Sequence, residues 1–205
     1  MDLAVAATAF ALIVPVELPD KTFIATLVLA TRYRPLPTWI GVGLAFAVQC
    51  LVAVTLGGLL TRLPQQPVTL AAALLFALGA VVLWRGAGAA DEEEQSTEQE
   101  FAGRVRPGVH GLRAVGASFL VLFLAEWGDL SQLLTAGLVV RYRDPVSVFA
   151  GSLTALLVVS GVAALLGRAL LRRLRLSLIR RVGAGVCAVL AVLTLLAAAG
   201  APTPF

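Results

Sequence analysis

Six long apolar runs constrain the fold of this chain more than any other feature of its sequence. They cover residues 3–31, 38–60, 67–84, 114–140, 146–170 and 180–200, approximately. Each run is close to or above the roughly 20 residues that an α-helix needs to cross a bilayer. Hydrophobic residues make up 59% of the chain and charged residues 14%, whereas soluble domains average about 45–50% and about 25%. The sequence therefore predicts an all-α membrane protein with six transmembrane helices and excludes a soluble enzyme, a nucleic-acid binder and a disordered chain.

The two halves of the chain are related by an internal repeat. At an offset of 109 residues, 17–34 aligns with 126–143, and seven of the eighteen positions are identical. The identical pairs are Glu17/Glu126, Asp20/Asp129, Thr26/Thr135, Leu29/Leu138, Arg32/Arg141, Tyr33/Tyr142 and Arg34/Arg143. Two unrelated apolar helices would share Leu, Val and Ala rather than two carboxylates. Because three helices per copy is an odd number, we expect two inverted three-helix repeats with an ion site near the bilayer midplane.

The connection between the repeats, residues 85–113, differs from the short turns elsewhere. It is rich in Gly and Ala and then acidic, with six of the twelve acidic residues in Asp91–Glu100. We interpret it as a flexible, solvated linker, and a metal-sensing role of its carboxylates is the alternative. The expected organisation is a first repeat at 1–86, a linker at 87–112 and a second, inverted repeat at 113–205.

The distribution of arginine predicts the orientation in the membrane. The loops after the first, third and fifth spans hold twelve Arg residues, and those after the second and fourth hold three, namely Arg62, Arg141 and Arg143. Arginine accumulates in cytoplasmic loops. We therefore expect a cytoplasmic linker and two extracytoplasmic termini, with Arg141 and Arg143 running against the trend.

Ionisable residues inside the apolar runs indicate a functional site. They are Glu17, Asp20, Lys21, Glu126 and Asp129. Each costs about 3 kcal/mol at the bilayer centre if it is unpaired. Lys21 can pair with Glu17 one helical turn away, but one cation cannot neutralise four acids.

The spacing of these residues favours binding of a divalent cation. The two carboxylates of each motif are three residues apart, which predicts that they share one helix face. Hydroxyl and amide groups follow at Thr22, Ser131 and Gln132. Such hard oxygen ligands suit Ca²⁺, Mn²⁺ or Mg²⁺ rather than Zn²⁺ or Cu⁺. Pro15 and Pro19 leave backbone carbonyls without helical partners, and these carbonyls either add ligands or accompany an ordinary kink.

The doubled motif Glu-x-Gly-Asp-(Lys/Arg)-(Ser/Thr), in a six-helix chain with an acidic linker, resembles the GDT family of manganese and calcium cation/proton exchangers. The resemblance implies that Glu17, Asp20, Glu126 and Asp129 are the metal ligands. Supporting roles fall to Lys21, Thr22, Gly128, Ser131 and Gln132. The chain departs from the family motif at Pro19, where Gly is usual, and at Leu130, where a basic residue is usual.

The resemblance implies a secondary active transporter that exports Mn²⁺ or Ca²⁺ in exchange for protons, with no prosthetic group. An exporter of a small cationic organic solute, or a membrane scaffold, is the alternative. No nucleophile–base pair, phosphate loop or cofactor motif predicts an enzyme. Because the chain is short, rich in Arg and poor in Lys, we expect a bacterial plasma membrane. We expect the metal ion and the lipid bilayer as partners and no nucleic acid, and the sequence leaves a homo-oligomer open.

Overall fold

The computed structural model describes residues 1–18, 21–88, 90–104, 108–171 and 176–199, and these ranges form helices joined by short turns. The helices are α1 (Leu3–Glu17), α2 (Lys21–Tyr33), α3 (Pro35–Leu60), α4 (Gln65–Gly86), α5 (Ala90–Arg104), α6 (Leu112–Ala125), α7 (Leu130–Tyr142), α8 (Pro145–Leu171) and α9 (Leu176–Ala198). Their buried faces meet in one main apolar core that includes Ile13, Phe46, Phe76 and Leu122. The prediction of an all-α fold is confirmed for the described residues.

Three of the described helices, α3, α4 and α8, are long and apolar enough to cross a membrane by themselves. The number rises to five if α1 with α2, and α6 with α7, each form one span. In α9 the stretch Arg181–Leu196, whose side chains the structure describes, is apolar as well but lies below that length. The chain is therefore a membrane protein with three to five candidate spans in its described part, and the count of six stays a prediction.

The runs 3–31 and 114–140 were expected to be single helices, and this expectation is wrong. In each run the chain forms two helices, and their axes are bent by 74° between α1 and α2 and by 73° between α6 and α7. The physical reason is visible at the second break, where Gly128 takes a φ of +82° that ends the α-helical path. At the first break, Pro19 and Asp20 lie outside the described residues.

The acidic linker is also more ordered than expected. Residues 90–104 form the helix α5, whereas the sequence predicted a flexible segment. Phe101 and Thr97 are only 2% and 5% exposed, because this face of α5 packs against α2 and α9. This buried face anchors α5, whereas Glu98 and Gln99 of the same helix are exposed.

The two halves pack against each other reciprocally. Helices α1 and α2 of the first half pack on α8 of the second half, and α6 and α7 of the second half pack on α3 of the first. Helices α4 and α9 lie along each other. Two glycines allow the closest contacts. A Cβ on Gly41 would lie 2.3 Å from the Val115 carbonyl oxygen, and one on Gly151 would lie 2.1 Å from that of Ala6. Each half therefore completes its core with helices of the other half, and the inverted topology itself stays a prediction.

Hydrogen bonds tie the N-terminus to the turn before α8. The backbone N–H of Asp2 donates to Asp144 Oδ2 at 3.2 Å and to Ser147 Oγ at 2.6 Å. The Ser147 hydroxyl donates to Asp144 as well, and this bond is the main reason why the pKa of Asp144 lies below its usual value. The N-terminus and the turn at 143–144 consequently lie at the same end of the helix bundle.

The close approach at Gly41 generates a stability prediction. Gly41→Ala should lower the melting temperature of the purified protein in detergent, because the new methyl group meets backbone at 2.3 Å and overpacking typically costs about 1–3 kcal/mol. Gly58→Ala on the same helix is the matched control. Nothing lies within 4 Å of its Cβ position, so the variant should melt at the same temperature or higher, since Ala favours a helix over Gly by about 1 kcal/mol. Equal melting of both variants would contradict the packing described.

Candidate functional site at the two helix breaks

The second motif spans the break between α6 and α7. Glu126 follows the last residue of α6, and its backbone N–H donates to the Leu122 carbonyl at 3.0 Å. Asp129 is the N-cap of α7, where its Oδ2 accepts the backbone N–H of Ser131 at 3.1 Å. The expectation that both carboxylates share one helix face is wrong here, because Gly128 turns the chain between them. The two acids stand at the facing ends of two helices instead.

Gln132 holds this break together. Its side-chain Nε2 donates to the Glu126 carbonyl at 2.6 Å, and its Oε1 accepts the backbone N–H of Gly128 at 3.3 Å. Backbone groups freed by a helix break need such partners inside a membrane. Gln132 therefore positions the second motif, and both ends of its amide are used in that task.

The first motif is described in part. Glu17 is the last residue of α1 and is only 1% exposed. Lys21 is the exposed first residue of α2, and Thr22 behind it is buried at 2% exposure. Glu17 and Lys21 thus belong to different helices rather than to successive turns of one helix, and their ion pair stays a prediction.

One cavity of about 590 Å³ connects parts of both motifs with the linker helix. Its lining includes Lys21 from the first motif, Glu126, Gly128 and Asp129 from the second, and Ser96, Thr97 and Glu100 from α5. Leu130, which stands where the family motif has a basic residue, lines it too and lies against Gly79 of α4. The fold therefore brings Lys21 and Leu130, which are equivalent positions of the two repeats, to the lining of one cavity.

The described carboxylates do not by themselves make a complete metal site. Among the residues that the structure describes, no group of three or more His, Cys, Asp and Glu side chains is placed to hold a metal ion. Asp20, one of the four predicted ligands, lies outside those residues. The convergence of Glu17, Asp20, Glu126 and Asp129 on one ion stays a prediction.

The ends of the broken helices add to the negative potential of the acids. The C-terminus of a helix carries about half a negative charge on its free carbonyls. Helix α1 ends at Glu17 and α6 ends just before Glu126, so each break combines a carboxylate with a carbonyl end. Both are attractive to a cation. The N-terminus of α7 is balanced separately by its cap, Asp129.

Several polar residues near the breaks were not singled out by the sequence. Gln49 in α3 is 3% exposed, and its Nε2 donates to the Phe123 carbonyl near the end of α6 at 3.3 Å. An amide inside an apolar run is a signal that could have identified it, because buried amides need partners. Ser96 and Glu100 gave no such signal, because the acidic, polar composition of their segment is typical of a solvated linker.

Comparisons with known proteins agree with the doubled motif. The family model described as divalent cation/proton antiporter GDT1 matches residues 5–91 and 114–202. A Vibrio cholerae protein named "Putative manganese exporter" is 30% identical over 94% of this chain and 89% of its own length. GDT1-like protein 1, chloroplastic, from rice (Oryza sativa subsp. indica) is 31% identical over 92% of this chain, and the GDT1-like protein sll0615 of Synechocystis is 33% identical over 60%.

The matched regions make up 61% of the rice protein and 63% of the Synechocystis protein, so the chain spans about three fifths of these relatives. No solved structure matches it.

The role of Gln132 can be tested by replacing its amide. Gln132→Glu keeps the shape and adds a carboxylate, but it removes the N–H donor to the Glu126 carbonyl. We expect a lower melting temperature in detergent, of the order that losing one partly buried hydrogen bond brings, about 0.5–1.5 kcal/mol. If Gln132 were instead a cation ligand, Glu should bind divalent metal at least as well and leave the metal-free protein as stable as before. Unchanged stability with tighter metal binding would therefore overturn the positioning role.

Proposed function

The chain belongs to the GDT1 family of divalent cation/proton antiporters, and from that premise we propose that it exports a divalent cation, Mn²⁺ before Ca²⁺, in exchange for protons. The observation that carries the proposal is the single cavity lined by Lys21 of the first motif together with Glu126 and Asp129 of the second. A transported ion needs a site that both halves of the protein share, so that their relative movement can change access to it.

The chemistry of this cavity supports a hard divalent cation. Carboxylates, hydroxyls and helix-end carbonyls are oxygen donors, which Mn²⁺ and Ca²⁺ prefer. In this proposal the ligands are Glu17, Asp20, Glu126 and Asp129. Manganese is favoured over calcium by the name of the Vibrio cholerae relative, which aligns over nearly the full length of both chains.

The remaining motif residues have supporting tasks. Lys21 supplies a positive charge that lowers the repulsion among the acids when no metal is bound. Thr22 and Ser131, which are buried at 2% and 7% exposure, supply further hydroxyl oxygens in this proposal. Gly128 and Gln132 keep the second break in the shape that directs Glu126 and Asp129 to the cavity.

The linker helix bears on the direction of transport. Ser96, Thr97 and Glu100 of α5 line the same cavity as the motif residues. In the orientation that the Arg distribution predicts, α5 lies in the cytoplasm and both termini outside. The cavity then opens beside a cytoplasmic helix, which is the side from which an exporter of a bacterial plasma membrane loads its metal.

Transport by the purified protein in liposomes tests the function. We expect Mn²⁺ added on one side to drive proton movement in the opposite direction, and Glu126→Gln or Asp129→Asn to reduce the rate at least about 100-fold, because even the groups that orient metal ligands are worth about 10–100-fold. Glu98→Gln is the matched control, since Glu98 is an exposed acid on α5 outside the described cavity lining.

The same liposomes, offered Ca²⁺, Mg²⁺, Zn²⁺ and a cationic amino acid, separate the proposal from its alternatives. Proton movement with the amino acid and none with any metal would show an organic-cation exporter. If the folded protein shows no coupled flux with any of these substrates, a non-transporting membrane scaffold is the remaining alternative. Either result contradicts the proposed function.

Counting charges yields the expected stoichiometry. Four ionised carboxylates and Lys21 give the site a net charge of −3, so neutrality requires three bound protons without metal and one with a divalent ion. A site inside the membrane should stay near neutral in each transported state. We therefore expect two protons per metal ion and a rate that does not respond to membrane potential, measured with pH and metal indicators in potassium–valinomycin-clamped liposomes. Flux driven by membrane potential alone, or a ratio far from two protons per metal ion, would refute electroneutral exchange.

A further inference from the structure

Arg141 and Arg143 have no part in the proposed ion site. They lie at the end of α7, where Arg141 is in the last turn and Arg143 is the C-cap with a φ of 53°. They lie in a loop that is predicted to be extracytoplasmic, whereas most of the other arginines lie in loops that are predicted to be cytoplasmic. Both side chains line a cavity at this end of the bundle.

The first of two adjoining cavities at this end is polar. It has a volume of about 220 Å³ and lies between the end of α3, the start of α4 and the end of α7. Its lining includes Thr61, Thr69, Arg141, Arg143 and Thr194. No carboxylate occurs among the described residues of this lining. Guanidinium and hydroxyl donors without a carboxylate form a suitable environment for a phosphate group.

The second cavity is an apolar groove of about 520 Å³ between α1 and α9, and Arg141 lines it as well. Leu12 forms one wall, and Val186, Val189 and Leu193 form the other, with the ring of Tyr142 beside Arg141. The groove follows α9 from Val182 to Leu193, which is about 16 Å at 1.5 Å per residue. One leaflet of a bilayer has a hydrocarbon depth of about 15 Å.

We propose that these two cavities form a binding site for one phospholipid with an anionic headgroup. Its phosphate lies against Arg141 and Arg143 in the polar cavity, and one acyl chain fills the groove between α1 and α9. The groove has the length of one leaflet and shares the Arg141 guanidinium with the polar cavity, and an apolar chain joined to an anionic headgroup matches this combination. Basic pockets between membrane helices bind anionic headgroups on the cytoplasmic side, and here a pocket of the same chemistry lies on the side predicted to be extracytoplasmic.

Titration of the lipid-depleted protein in detergent with matched lipids tests the site. We expect phosphatidylglycerol to raise the melting temperature and to bind about tenfold or more tightly than phosphatidylcholine with the same acyl chains, because charge-assisted hydrogen bonds to phosphate are among the strong ones. Arg141→Gln should remove this preference. Arg113→Gln, an exposed Arg outside both cavities, should retain it.

A second variant blocks the groove without touching the charges. Nothing lies within 4 Å of a Cβ built on Gly185, which lines the groove, so Gly185→Leu should fold normally, fill the groove and weaken phosphatidylglycerol binding. Gly116→Leu, also open but outside the groove, is its control.

Three results would overturn the proposal. Equal binding of the two lipids by the unmodified protein would mean that ordinary surrounding lipid fills the groove. Equal stabilisation by glycerol 3-phosphate alone would mean a site for soluble anions. Unchanged phosphatidylglycerol binding by Gly185→Leu would mean that no acyl chain occupies the groove. All three readouts are independent of metal transport.

Discussion

A helix break inside an apolar layer leaves backbone N–H and C=O groups without hydrogen-bond partners, and lipid cannot supply these partners. The rest of this structure depends on how the protein supplies them. At the second break, Gln132 bonds both sides of the turn and Asp129 caps α7. These bonds fix Glu126 and Asp129 at facing helix ends. The polar groups that make the interruption tolerable are therefore the same ones that direct the carboxylates to the cavity.

The reciprocal packing of the halves provides the second requirement, which is protein around each break. Helices α3 and α8 each cover the broken pair of the other half, and Gly41 and Gly151 allow backbones to approach where any side chain would collide. A site formed in this way lies between two bodies, and relative movement of the halves would alter its access, as the proposed antiport requires.

The linker helix connects this site to the solvent side of the bundle. Phe101 is buried in the main core, although it belongs to a segment with a mean composition typical of a solvated linker. As a result Ser96 and Glu100 line the cavity that also holds Lys21 and Asp129. The burial of Phe101 and Thr97 therefore places this acidic segment beside the cavity that the motif residues line.

The sequence by itself determined the membrane class, the internal repeat and the family, because long apolar runs and a doubled acidic motif are local patterns that need no neighbours to be recognised. Only the tertiary structure decided that the motifs interrupt their helices, that Gln132 bonds Glu126 and Gly128, and that α5 docks through Phe101. The spacing of residues along a sequence cannot reveal a helix break. A spacing of three residues is compatible with Glu126 and Asp129 on one face of a continuous helix, and equally with their positions at the ends of two helices. Which arrangement forms depends on whether surrounding helices can satisfy the freed backbone groups, and those partners come from distant parts of the chain.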